Sequence, residues 1–282
     1  MIEQEDFDIG MWKRMDAVET FSEIKCFIVD MDGTFYLGDD LLPGAVEFAE
    51  AVKRSGKRFF FFTNNSSHNE RECLEKLEKT GFHAEPGSVI ISSHVTIDFL
   101  LRHRPGKTVY LLGNHNLRGD FEAAGVPLTE DDPDIVVVGF DTEFSYDDID
   151  KTANFLAGGA EYIATHPDVN CPLAHGFMPD VGAFIAMFEA STGRVPDLIM
   201  GKPYGFTVDY VSNRIGCTRE EICFVGDRLE TDIAIGAKNG LKSVLVYTGV
   251  TSPEQYAKSD IRATVALNNI GELGMLLCSA AP

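Results

Sequence analysis

The run Phe27-Ile28-Val29-Asp30-Met31-Asp32-Gly33-Thr34 sets two acids, two residues apart, directly after an apolar stretch. In open α/β sheets ligands bind off the carboxyl ends of the strands, so Asp30 and Asp32 stand where a site belongs. Carboxylates this close repel each other and raise one pKa unless a cation sits beside them. Oxygen-only donors with open positions suit Mg²⁺ better than zinc, and phosphate oxygens can complete the coordination. A second acidic cluster, Gly226-Asp227-Arg228-Leu229-Glu230-Thr231-Asp232, follows another apolar run. Gly226 permits close backbone approach and Asp227 leaves its strand as Asp30 does. Asp232, near a helix start, would cap that helix or support the metal ligands from behind.

Two further strand ends carry complementary chemistry. Thr63-Asn64-Asn65-Ser66-Ser67 offers a hydroxyl, amides and a run of backbone N–H groups leading into a helix, a cradle for phosphate oxygens. Met200-Gly201-Lys202-Pro203 sets an ammonium at a helix mouth, because proline suits the first helical turn. Each piece alone has an ordinary structural explanation. Asp-x-Asp-Gly is a common turn, Asp227 and Lys202 fit solvated loop charges, and Thr63 fits a helix cap. Taken in order, however, acid pair, hydroxyl, lysine and acid pair form one set suited to binding a cation and a phosphate together.

The elements that must position these groups read as alternating strands and helices. Apolar runs at 24–30, 58–63, 88–93, 108–113, 134–139, 161–165, 197–201, 221–227 and 243–249 are mostly continuous, as in strands buried on both faces of a parallel sheet. Helical spacing links them: from Pro43 to a stop at Gly56, then 70–80, 95–102, 181–192, 204–215 and 231–239. This alternation predicts a doubly wound α/β fold with right-handed crossovers. Breakers at 102–106 and the stretch 171–179, expected as a loop, bracket about 75 residues with their own alternation, which predicts an inserted second domain.

With 282 residues and 44% hydrophobic content the chain can bury a real core. Its formal charge of −20 disfavours nucleic acid and anionic membranes, where cationic neutralisation of phosphate dominates. Six cysteines without a Cys-x-x-Cys pair argue against a zinc ribbon, with Cys26 and Cys223 read as small buried hydrophobes. The opening twenty residues do not read as a secretory signal, and a cytoplasmic setting is expected. His68, His94, His103, His115 and His175 lack a zinc-like spacing.

On these motifs the chain resembles the haloacid dehalogenase-like (HAD) superfamily of phosphohydrolases, and within it the NagD and p-nitrophenyl phosphatase-like subfamily with a large C2-type cap. The resemblance rests on Asp30-x-Asp32-Gly33-Thr34, Thr63 in Thr-Asn-Asn-Ser, Lys202 in Gly-Lys-Pro, and Gly226-Asp227 with Asp232, and it runs from about Ile24 to Val250. It implies a Rossmann-like doubly wound parallel sheet core over 1–104 and 179–282, with an inserted α/β cap over 105–178 that selects substrate. It further implies a Mg²⁺-dependent phosphoric monoester hydrolase acting on small phosphomonoesters of sugar phosphate, nucleotide or p-nitrophenyl phosphate type.

In that scheme Asp30 is the nucleophile that becomes an aspartyl-phosphate, and Asp32 is the acid and then the base, its main-chain carbonyl also binding the metal. Asp227 is a further ligand and Asp232 supports the metal site. Gly33, Thr63, Asn64, Asn65 and Lys202 hold the phosphate. Ala164-Thr165-His166-Pro167-Asp168 resembles a cap loop that usually reads Thr-Asn-Pro-Asp, which assigns His166 and Asp168 to substrate while marking His166 as a departure. Relatives that dimerise do so through their caps, so a homodimer is a family-level expectation. The rivals are a dehalogenase, a phosphoryl-accepting receiver-like signalling domain, and a catalytically idle phosphate-binding regulatory protein. The second acid of Asp-x-Asp, the size of the insert and the intact set of acids speak against each in turn.

Overall fold

A computed structural model describes residues 19–172 and 176–278, leaving His175 and nearly all of the opening segment outside the described residues. In chain order the strands are β1 (Cys26–Val29), β2 (Tyr36–Leu37), β3 (Asp40–Leu41), β4 (Arg58–Thr63), β5 (Val89–Ile91), β6 (Val109–Leu112) and β7 (Ile135–Val138). They continue with β8 (Glu161–Ala164), β9 (Asn170–Pro172), β10 (Phe177–Pro179), β11 (Leu198–Ile199), β12 (Ile222–Gly226), β13 (Lys242–Val246) and β14 (Val265–Leu267). The α-helices are α1 (Ala45–Arg54), α2 (Glu70–Lys79), α3 (Ser92–His103), α4 (His115–Ala123), α5 (Tyr146–Ala157), α6 (Val181–Thr192), α7 (Gly205–Ile215), α8 (Ala234–Asn239), α9 (Pro253–Lys258) and α10 (Ile270–Cys278). They divide between two units: Met1–Phe61 with Lys79–Phe82 and Ser212–Pro282, and Phe62–Glu78 with His83–Val211.

In the first unit parallel strands run in the order β14-β13-β12-β1-β4. β1 lies between β12 and β4 in the register Val29 to Val225 and Val29 to Phe61, and all four of its side chains are buried. A strand flanked on both edges and covered on both faces needs an unbroken apolar run, which Cys26-Phe27-Ile28-Val29 supplies. Phe35 packs edge-on to Phe61 and to Phe82, each at 4.8 Å between ring centroids. That wedge ties the loop after β1 to the aromatic face of β4. Helix α1 starts two residues later than the proline signal suggests. Gly44 is its N-cap, in the left-handed region at φ +84°, and Pro43 stands outside. A Cβ on Gly44 would collide with the backbone of Gly271 in α10, so the close approach of α1 and α10 requires the glycine. The expected helix at 231–239 opens instead with a five-residue π-helical turn, Leu229–Ile233, before α8.

The second unit has its own parallel sheet, ordered β11-β8-β7-β6. Its core joins Tyr110, Val136, Val138, Phe140 and Tyr162 to Val181, Phe184 and Phe188 of α6. That core takes in α6, and the sheet takes in β11, although both lie past residue 178. Of the stretch expected as a loop at 171–179, the described residues include two short antiparallel strands, with Met178 opposite Cys171 and the two prolines at strand ends, where a missing N–H is tolerated. Lys202 follows β11, so its strand belongs to this sheet rather than to the one that carries Asp30 and Asp227. Among the described residues no helix is long and apolar enough to cross a membrane.

Candidate active site

In the first unit the acids converge. Asp30 leaves β1 with its N–H donating to Val225 O at 2.8 Å, and Asp227 leaves neighbouring β12 wholly buried. Asp30, Asp227 and Asp232 each bring a carboxylate oxygen to within 4.8 Å of the others. The Asp227 carboxylate is clamped: Val250 N–H donates to Oδ2 at 2.6 Å and the Thr34 hydroxyl to Oδ1 at 3.4 Å. Glycines make room for it. Gly33, at φ +82°, would put a Cβ 2.7 Å from Asp227 Oδ2, and a Cβ on Gly249 would overlap the same oxygen. The Thr248 hydroxyl donates to Gly33 O at 2.6 Å and fastens these two loops together. Gly226 performs the same service for Asp232, whose Oδ2 accepts from Arg228 N at 3.1 Å. Asp232 therefore lies among the converging oxygens as well as behind them. Three carboxylates at this spacing, two of them buried, form an all-oxygen donor set that could hold a cation. Asp32 is exposed and accepts a hydrogen bond from the Tyr36 hydroxyl at 3.2 Å.

The second unit gathers the phosphate-type groups. Thr63 closes β4, and its hydroxyl accepts from Asn65 N at 3.1 Å, which bends the following loop. Asn64 exchanges two bonds with the lysine backbone: Lys202 N donates to Oδ1 at 2.8 Å and Nδ2 donates to Lys202 O at 3.0 Å. The same Nδ2 reaches Asp168 Oδ2 at 3.3 Å. Lys202 is 2% exposed, and its ammonium donates to Phe62 O at 3.3 Å over the Phe62 ring. Asn65 Oδ1 accepts from Ser67 N at 3.0 Å and from the Ser67 hydroxyl at 2.6 Å. His166 is wholly buried, between Asp180 Oδ1 at 2.9 Å and Thr165 Oγ1 at 3.0 Å. Thus Asn64, Lys202, Asp168 and His166 share one bonded network.

A haloacid dehalogenase-like hydrolase model matches residues 27–127, and a second HAD-hydrolase-like model matches 199–273. The acid sugar phosphatase of Staphylococcus aureus (strain MRSA252) is 32% identical over 89% of this chain and 96% of its own length. The chain belongs to the haloacid dehalogenase-like hydrolase family. It is a phosphatase, a phosphoric monoester hydrolase of the NagD-like branch. The crystal structure of a 4-nitrophenylphosphatase from Thermotoga maritima superposes with a TM-score of 0.88 at 43% identity, covering 91% of this chain and 98% of that one. A glycerol phosphate phosphatase from Mycobacterium tuberculosis, solved in complex with calcium, gives 0.82 at 29% identity over 90% of this chain and 76% of that one.

Several residues that shape this hydrolase site escape the motif reading. Gly249 closes the run 243–249 and Val250 follows it, with nothing local to tie either to Asp227. Tyr36 follows Asp32 at a spacing that signals only a turn. Asp180 had a legible signal, an acid directly before the periodic run of α6, and it does accept from Val181 N at 2.7 Å as an N-cap. The cysteines match expectation: burial pushes the Cys26 thiol up to about 12 and drives Cys223 upward too, so both are inert.

Proposed function

We propose that the chain is a Mg²⁺-dependent phosphatase that hydrolyses small-molecule phosphomonoesters through an aspartyl-phosphate on Asp30. The observation that carries this reading is the trio of Asp30, Asp227 and Asp232 oxygens lying within 4.8 Å of one another. Asp30, Asp227 and the main-chain carbonyl of Asp32 would hold the ion, with Asp232 in support. When bound, the cation supplies neutralisation of charge on the phosphoryl oxygens.

The chain's own side chains carry the steps. Asp30 Oδ attacks phosphorus as the bond to the leaving oxygen breaks, and Asp32 gives that oxygen a proton. Asp32 then takes a proton from the water that attacks the acyl phosphate, which releases inorganic phosphate and regenerates Asp30. Its exposure suits this exchange with leaving alcohol and water. Gly33, Thr63, Asn64 and Asn65 frame the phosphate, and the Lys202 ammonium offsets charge on the transferring group, where phosphoryl transfer gains most of its acceleration. The insert 105–178, extended by α6 and β11, acts as the cap, and segment 165–168 orients substrate through Asp168 with His166 behind it. The names of the relatives favour substrates of sugar phosphate or p-nitrophenyl phosphate type, with nucleotides as a further class. The six cysteines form no disulfide among the described residues, which suits a cytosolic setting, and a homodimer is the assembly proposed.

A phosphate-release screen over sugar phosphates, nucleoside monophosphates, glycerol phosphate and p-nitrophenyl phosphate, with and without EDTA, tests the proposal. Turnover that EDTA stops and Mg²⁺ restores is expected. Turnover indifferent to EDTA rejects the metal, and a phosphoryl group held on Asp30 without release supports a receiver instead.

A further inference from the structure

The bonds made by His166 have a direction. Asp180 Oδ1 accepts from Val181 N, and the His166 contact at 2.9 Å makes it an acceptor again, so the ring proton sits on Nε2. In the neutral ring Nδ1 is then an acceptor, and the Thr165 hydroxyl at 3.0 Å donates to it. Thr165 Oγ1 can in turn accept from the Ser66 hydroxyl at 3.0 Å, whose oxygen accepts from Phe140 N at 2.9 Å. The Ser92 hydroxyl gives its proton to Asn64 O at 2.6 Å. A one-way chain therefore runs from the 64–66 loop through Thr165 and His166 to Asp180.

The turn that carries Lys202 is pressed against the same wedge. Gly201, at φ +60°, would put a Cβ 2.8 Å from both Asn64 Oδ1 and Thr165 O, and 3.0 Å from His166 Cβ. Neither side has slack. Since Lys202 N and O are both bonded to the Asn64 amide, any shift of 165–166 is passed to the lysine backbone.

We propose that His166 is a positioning residue for Lys202: anchored by Asp180, it holds the 165–166 backbone and the Asn64 loop that together fix the lysine backbone and so set where its ammonium can reach. This deepens the functional reading above and rests on the role given there to Lys202. An asparagine at this position would put its amide near the place of Nδ1 and stop short of Asp180. A glutamine would reach Asp180 and leave Thr165 without an acceptor.

The test is a double-mutant cycle with His166→Asn and His166→Gln in wild-type and Lys202→Met backgrounds. It is read by kcat and KM on p-nitrophenyl phosphate with Mg²⁺, by calorimetric binding of inorganic phosphate, and by melting temperature. His166→Asn should lower kcat/KM by about 10-fold to 100-fold, the size expected for misplacing a catalytic group from a distance. His166→Gln should recover most of that loss, and phosphate affinity should fall in step. In the Lys202→Met background His166→Asn should cost less than about 2-fold, because the group it positions is gone. Equal losses in both backgrounds, or a melting shift with kcat/KM unchanged, would overturn the proposal. If wild type binds phosphate without hydrolysing p-nitrophenyl phosphate, the functional reading fails and the phosphate-binding cycle alone decides on His166. Wild type that does not bind phosphate at all overturns both.

Discussion

The acid trio of the first unit and the Asn64–Lys202 network of the second are held by different means. Around Asp227 the clamps are mainly backbone: a Val250 N–H, and two glycines that leave no volume for anything larger. Around Asn64 the ties are mostly side-chain hydrogen bonds, from Ser92, Asp168, Thr165, His166 and Asp180. A backbone clamp has no graded alternatives, since one methyl group displaces the carboxylate. A side-chain network loses one bond at a time, and its function should decline in steps.

The largest effect expected is that of Asp30→Asn, which removes the proposed nucleophile while leaving the fold. Phosphate release should fall by at least about 10³-fold, roughly 4 kcal/mol in the barrier, with no loss in melting temperature because one of three repelling charges is gone. Next comes Gly249→Ala, whose methyl overlaps Asp227 Oδ2. The Mg²⁺ concentration needed for half-maximal activity should rise by about 10-fold to 100-fold in a metal titration. Asn64→Ala should cost less, about 10-fold in kcat/KM, because Lys202 keeps its other ties. If Asn64→Ala proved as damaging as Gly249→Ala, the contrast between clamp and network would collapse.

The smallest effect concerns stability, away from both regions. Burial and the neighbouring Glu70 and Glu72 push the Asp120 carboxyl up to about 6, and its Oδ2 is buried without a hydrogen bond. A folded pKa above the unfolded value means the native state holds the proton longer. Stability therefore falls as pH rises from about 4 to 6, and the cost is complete above that. After discounting for solvent screening, Asp120→Asn should gain about 1 kcal/mol at pH 7.5, a few degrees in a melt, and almost nothing at pH 4.

The strands carrying Asp30, Thr63 and Asp227 were legible because a strand buried on both faces must be a continuous apolar run, and such runs end abruptly. Helix α6 was legible to the residue, since Asp180 opens it and Gly193 closes it in the left-handed region. What was hidden is what local pattern does not encode. The approach of Gly249 to Asp227 depends on which strands become neighbours. Asp232 gains its place from a π-helical turn, which leaves no signature of its own in residue spacing. Helix α5 carried a readable capping box from Ser145 to Asp148, a start signal that lies in polar caps and not in apolar spacing. His166 looked like a ligand-facing substitution in a loop, and its complete burial follows from bonds to residues far along the chain. Lys202 had the right neighbours in sequence, but only strand pairing could assign β11 to the second sheet.

The place of β1 between β4 and β12 matters while the polypeptide is being made. One neighbour emerges from the ribosome soon after β1, whereas the other, Ile222–Gly226, follows only after residues 83–211 of the second unit. Throughout that interval an apolar strand presents an open edge, the kind of surface that recruits chaperones or pairs with a stranger. The cluster of Asp30, Asp227 and Asp232 is likewise incomplete until the chain beyond the second unit has been translated, so the acids that would bind a cation together are made far apart in time.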